Sequence, residues 1–405
     1  MDRHLISSPQ LQTSAICDEV VQLKIELQGN TRRIPELDGL RGLAILLVLI
    51  WHYGHDANSA LGHLWLYYLK NATLLFWSGV DLFFVLSGFL IGGILLDARN
   101  SPNYFKAFYT RRVFRIIPIY AFLVGTFYLC MVAGVPGRIA GSDWLFGPTV
   151  PWYAYATFTQ NIRYAIGEPA LPTWLGITWS LAVEEQFYLI LPAVVWFVPR
   201  RRLPYVLGTA ILAAPLLRIF LNLNYSHGNL ASFYLMPCRA DALLLGVAAA
   251  LLVRNQSIWE SLKSQRRRLA MACIVLLAGL PYFILFKETD PILSFWISTV
   301  GLSFLAVFYL SLLLLALAYS DGWFGRILRT PWLKALGTIS YGVYLYHWVV
   351  VGLTFAIVQH KRPWAQTSAE HGLVFLALVV TIAAASVSWT FFEKPLLKVG
   401  HNVKY

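Results

Sequence analysis

Residues 37–56 read LDGLRGLAILLVLIWHYGHD. Thirteen of the twenty are apolar side chains or glycine before His52 interrupts them, which is the composition of a helix that crosses lipid. Ten residues separate Arg41 from His52. On an α-helix the eleven steps between them turn through about 1100°, within about 20° of three full turns. The two side chains then share a face, about 16 Å apart along the axis. Ionisable groups inside a membrane are costly and point to function. The plainer reading is an interfacial arginine that snorkels and a histidine that only packs.

Composition sets the class. The 405 residues are 58% hydrophobic and only 13% charged, with 15 Trp, 21 Tyr and 25 Phe. A soluble domain is not that apolar; a polytopic membrane protein with aromatic belts is. A net charge of +12 raises the question of nucleic acid. The basic residues instead fall in short loops between apolar runs, which is a topology signal. Cys17, Cys130, Cys238 and Cys273 show neither metal nor disulfide spacing.

The fold class expected is all-α, a bundle of about ten transmembrane helices. The apolar spans read about 38–54, 77–97, 116–134, 179–198, 203–221, 235–253, 269–286, 295–319, 335–358 and 372–392. Basic residues alternate between the connecting segments, 23 in one set and six in the other. The positive-inside rule places the richer set, and with it both termini, in the cytoplasm. Residues 1–33 lack an apolar h-region, so they read as a cytoplasmic tail and not as a cleaved signal peptide. Residues 34–395 form the membrane domain and 396–405 a short cytoplasmic tail, with no soluble catalytic domain expected after the last span. The segment 135–178, rich in Gly, Pro and aromatics, has the composition to fold back as a lid or re-entrant piece.

Depths counted at about 1.5 Å per residue bring ionisable groups from six helices into one layer in the outer half. His52 and His347 rise about 18 Å from the inner side, while Asp81, Glu184, Glu185, Arg239 and Asp241 lie about 6–9 Å below the outer one. Each has a plainer alternative. Asp81 pairs with a neighbouring cation, Arg239 and Asp241 form a structural ion-pair element, and Arg218 is a counter-ion for Glu184 or Glu185. On the same reading His347 bonds a carbonyl, and Ser87 and Gly88 serve close helix packing.

A second constellation lies at the inner side. FYTRRVFRIIPIY places Arg111, Arg112 and Arg115 at the start of the third span. An ordinary positive-inside flank explains them. So does an anion site, because arginine presents a planar fork of donors suited to phosphate. Arg41 lies on the same side.

Taken in order, LDGLRGLAILLVLIWH, SGVDLFFVLSGFLIGGILL, FYTRRVFRIIPIY, TWSLAVEEQFYLILP, CRADALLLG, ISYGVYLYHW and FFEKP resemble the bacterial acyltransferase family three. These are integral-membrane enzymes that O-acylate cell-surface carbohydrates. The resemblance runs from about Leu37 to Pro395, and Arg41 and His52 meet the family pattern of a basic residue, ten residues and a histidine. The resemblance implies transfer from a cytoplasmic acyl-CoA, usually acetyl-CoA, to a hydroxyl outside, in the inner (cytoplasmic) membrane. Coenzyme A carries phosphates at one end and the thioester at the other, and its extended pantetheine arm spans about 15–20 Å. That matches the Arg41-to-His52 spacing of about 16 Å. Arg41, Arg111, Arg112 and Arg115 are therefore expected to hold the phosphates. His52 is expected as general base, or as a transiently acylated relay. Glu184 is the first candidate to orient His52 or the sugar, and Asp81 the second. Ser180, Tyr341 and backbone groups are candidate oxyanion donors. The expected partners are acyl-CoA, a carbohydrate acceptor and membrane lipid, with no nucleic acid and no metal. The rival readings are a secondary transporter, which would normally show an inverted repeat, and a lipid-binding scaffold, which would explain the basic flanks but not the polar layer.

Overall fold

The computed structural model of this chain describes residues 34–56, 73–147, 150–167, 173–285 and 294–405. The tail 1–33 and the expected external residues Lys70 and Lys287 lie outside the described residues. The described residues form helices and turns without a strand. Nine helices among them are long and apolar enough to cross a membrane.

The principal helices are α1 Pro35–Leu49, α2 Gly79–Ala98, α3 Tyr104–Val132, α4 Trp179–Phe197, α5 Leu203–Asn224 and α6 Met236–Val253. They continue with α7 Arg266–Leu285, α8 Leu302–Ala318, α9 Ser340–Gln359, α10 Ser368–Ser388 and α11 Lys394–His401. Local chemistry explains several starts. Pro35 occupies the first turn of α1, with Glu36 and Asp38 beside the positive end of the helix. Thr367 and Glu370 form a reciprocal capping box on α10. The expected span 269–286 is present as α7, but three arginines open it and it is not one of the nine.

The bundle is built around α2 and α6, which pack closely along their length. A Cβ on Gly88 would sit 1.8 Å from the Leu243 carbonyl oxygen, and one on Gly246 would sit 2.1 Å from that of Val85. Backbone therefore meets backbone here, and Gly88 does the packing expected of it. Burial follows the same order: 72% of the apolar window of Phe76–Ala98 is inside the protein, against 17% for Leu203–Asn224.

Two boundaries differ from the expectation in ways that matter for the site. The third span begins at Tyr104, not near residue 116. Arg111, Arg112 and Arg115 are thus 7–11 residues inside a 29-residue helix, Arg115 about 16 Å from its start. The last span runs on past residue 392 to His401, through a π-turn at Trp389–Glu393. Pro395 did not stop it, because it stands in the first turn of α11, where its missing N–H costs nothing.

A third difference touches the opening argument. The chain leaves α1 for a π-helical turn, Ile50–Asp56, that contains His52. Rotation and rise per residue are smaller in that wider coil. The uniform three-turn alignment of Arg41 with His52 therefore ends at Leu49. The described parts of segment 135–178 fold onto the bundle, as short helices that include Asp143–Phe146, Trp152–Ala156 and Gln160–Ala165, with Leu145, Tyr155 and Tyr164 buried.

Candidate active site

α1, α2, α3, α4 and α9 enclose a cavity of about 270 Å³. Its wall follows α2 from Val80 to Ile94, about 21 Å along the axis. Among its described lining residues are three guanidinium groups, Arg41, Arg112 and Arg115, and one carboxylate, Glu184. Arg41 Nη1 also meets Asp38 Oδ1 at 3.1 Å. Arg112 lies over the Tyr188 ring, 5.6 Å from its centroid, and the Tyr188 hydroxyl bonds Ser87 Oγ. Arg112 and Arg115 are charged neighbours of Glu184. Among the described lining residues three cations face one carboxylate, a net positive wall suited to an anion.

At the Val80 side the wall is made by Phe83, Ser180 and Tyr344. The Tyr344 hydroxyl donates to the Ile177 carbonyl at 2.9 Å and lies 2.6 Å from Ser180 Oγ. The backbone of the same residue reaches the histidines. His347 Nδ1 is 2.6 Å from the Tyr344 carbonyl oxygen. A carbonyl only accepts, so Nδ1 carries the proton and the lone pair of the neutral ring resides on Nε2. The His52 ring stands 4.9 Å from that of His347 and 4.7 Å from Trp348, centroid to centroid. Tyr53, next in chain, donates to the His347 carbonyl at 2.7 Å and lies 2.8 Å from Thr381 Oγ1. The π-turn that carries His52 is therefore anchored to α9 and α10.

The expected site residues separate into three places. Arg41, Arg112, Arg115 and Glu184 share the cavity. Arg111 is not among its lining residues; its Nε and Nη2 donate to the Val403 carbonyl at 3.2 and 3.0 Å. His52 adjoins the cavity through Tyr344 and His347, and Glu184 is on the cavity wall.

Asp81 lies elsewhere. Its Oδ1 pairs with Arg239 Nη2 at 2.7 Å, both side chains 1% exposed. The Arg239 guanidinium is ringed by Phe84, Trp179 and Phe233 at 5.2–5.9 Å. Arg218 pairs with Asp241 at 2.9 Å, not with Glu184 or Glu185. The reason is adjacency: α5 packs on α6, which carries Asp241, while both glutamates are on α4. Arg218 also donates to the Thr299 carbonyl, in the π-turn Ile297–Gly301.

Ser180 and Tyr341 line the cavity, but Tyr341 donates to the Ile116 carbonyl at 3.1 Å and Ser180 bonds Tyr344. The pairing of His52 with His347, and the part played by Tyr344, were not singled out by the sequence. The signal was there in SYGVYLYHW, where Tyr344 and His347 are three apart on one helix and so meet on one face. Among the described residues no group of three or more His, Cys, Asp or Glu side chains is placed to hold a metal ion.

Residues 34–390 match the model of an acyltransferase domain, that of acyltransferase family three. The chain belongs to that family. It is 29% identical over 399 residues to the peptidoglycan O-acetyltransferase OatA of Listeria monocytogenes, covering 93% of this chain and 58% of that one. It is 28% identical over 393 residues to YrhL of Bacillus subtilis, a putative peptidoglycan O-acetyltransferase, covering 91% and 56%. A putative O-acetyltransferase of Staphylococcus aureus is 27% identical over 395 residues, covering 91% and 58%. The chain thus spans between half and two thirds of the length of these relatives. No solved structure matches it.

Proposed function

We propose that this chain carries an acetyl group from cytoplasmic acetyl-CoA to a hydroxyl of an envelope glycan on the other side of the inner membrane. The observation that carries the reading is the cavity itself, cationic at Arg41, Arg112 and Arg115 and adjoining the His52–His347 pair at Tyr344. Its run of about 21 Å along α2 suits a pantetheine arm of about 15–20 Å. Phosphates held by the arginines leave the thioester at the Tyr344 end. The names of the relatives from Listeria and Bacillus favour a peptidoglycan-like acceptor.

His52 serves as general base. Its ring takes the acceptor hydroxyl proton while that oxygen attacks the thioester carbonyl. The carbon–sulfur bond then breaks, and the coenzyme A thiolate leaves and recovers a proton from the imidazolium. His347, fixed by Tyr344 with its proton on Nδ1, and its chain neighbour Trp348 both pack on the His52 ring and hold it in place. Glu184 sits among the phosphate-facing cations and positions Arg112 and Arg115.

Sealed proteoliposomes of uniform orientation test this. Acetyl-CoA is expected to serve only from the face bearing Arg41, and a membrane-impermeant glycan to be modified only on the opposite face. If both substrates have to be supplied to one side, the passage across the membrane is wrong. If neither side consumes acetyl-CoA, the donor assignment is wrong.

A further inference from the structure

We propose that α11 forms part of the wall of the donor cavity and that His401, its last residue, is a phosphate contact for the acyl-CoA donor. The proposal rests on the donor reading of the cavity given above. His401 lines the cavity together with Arg41, Arg112 and Arg115. Its Nδ1 donates to the Leu397 carbonyl at 2.7 Å, which fixes the ring and leaves Nε2 for a ligand. The side chain is exposed, which leaves Nε2 within reach of a phosphate, to which the imidazolium form donates a charge-assisted bond.

The sequence FYTRRVFR divides this labour along one helix. Arg112 and Arg115 face the cavity. Arg111 instead holds the segment after α11: it donates twice to the Val403 carbonyl, and its guanidinium lies 4.5 Å from the Tyr405 ring centroid. Gly400 completes the seat. A Cβ there would come within 2.9 Å of Phe114 Cβ, a separation that neither backbone accommodates without moving. The helix that presents the phosphate-binding arginines therefore also sets the position of His401. Coenzyme A carries a pyrophosphate and a 3′-phosphate, more negative charge than three arginines neutralise, which leaves a place for a further cation.

Calorimetry on the purified full chain tests this with two probes, coenzyme A and pantetheine, which lacks every phosphate. His401→Ala is expected to weaken coenzyme A binding about tenfold, the lower end for a charge-assisted contact, and to leave pantetheine unchanged. His401→Lys should restore most of the loss, since a lysine is also a phosphate binder. Gly400→Val should weaken coenzyme A to a similar extent with the imidazole still present, because it lifts α11 from α3. Unchanged coenzyme A affinity in a folded His401→Ala protein overturns the phosphate contact, and equal weakening of both probes does so too, by showing a change of cavity shape. If Arg112→Ala and Arg115→Ala also leave coenzyme A unaffected, the donor reading itself has failed; if they weaken it while the His401 and Gly400 variants do not, only the role of α11 has.

Discussion

Two groups of arginines lie inside this bundle, and they live in opposite ways. Arg218 and Arg239 are closed off: each has its own aspartate at 2.9 or 2.7 Å, and each is at most 1% exposed. Carbonyls of Cys238 and Thr299 complete the first, and three aromatic rings surround the second. Arg112 and Arg115 face a cavity, with Glu184 near both, Glu185 near Arg112 and Glu393 near Arg115. The cost of burial is met within the protein for Arg218, while Arg239 has its aspartate and the rings but keeps Nε and Nη1 buried without a hydrogen bond. In the second group the guanidinium groups face open volume that an anion can enter. An intramembrane charge is thus a functional signal in proportion to what its neighbours leave undone, and depth in the membrane does not measure that.

The comparison is broken most severely at the end of the cavity where chemistry is expected. His52→Ala should lower acyl transfer by about 10²–10⁴-fold, the range of a lost general base, with an unchanged size-exclusion profile. Near-normal turnover in that folded protein removes His52 from the reaction. The closed group should behave the other way round. Asp81→Asn leaves the Arg239 charge buried and unpaired, at a cost of about 3–5 kcal/mol in stability. Thermal unfolding in detergent should register that loss, and the joint replacement Asp81→Leu with Arg239→Met should recover much of it. If Asp81→Asn is fully stable and merely inactive, the pair belongs to the catalytic machinery and the contrast drawn here is mistaken.

For the open group the expected effect is smaller and falls on the ligand. Arg112→Ala and Arg115→Ala should each weaken coenzyme A binding by about ten- to a hundredfold, with little change in unfolding temperature. Glu184, which neighbours both arginines, keeps one of them in either variant. A large loss of stability without a loss of affinity would move these residues into the closed class.

How far the sequence discloses this difference depends on the residue. The helices were legible because lipid imposes one rule on long stretches: backbone groups must be bonded within the segment. Gly88 was legible because small residues inside an apolar run have few other uses. The start of α3 was not, since FYTRRVFR is too basic to be counted as a span, yet it belongs to one continuous helix, with Arg112 and Arg115 on the cavity wall. Partner choice was not legible either. Arg218 had four carboxylates at similar depth, Asp81, Glu184, Glu185 and Asp241, and the packing of α5 on α6 selects Asp241. The π-turn at His52 left no trace in the periodicity, because seven residues are too few to shift a 3.6-residue pattern visibly.

The smallest effect is expected at Tyr341, and it sharpens the comparison at the level of a single hydroxyl. Residue 341 lines the cavity and has the chemistry of an oxyanion donor, whose removal from an acyl-transfer site costs about 10²–10³ in kcat. Its hydroxyl, however, carries one proton, and that proton goes to the Ile116 carbonyl at 3.1 Å. The bond ties α9 to α3 one residue beyond Arg115. A group so committed belongs with the closed arginines and not with the open ones. Tyr341→Phe should therefore cost about 1 kcal/mol of stability, the net worth of one hydrogen bond, and lower kcat less than about tenfold. Steady-state kinetics at saturating acetyl-CoA decides the matter: a hundredfold fall in kcat at unchanged stability would show that the hydroxyl leaves Ile116 during turnover and stabilises the developing charge.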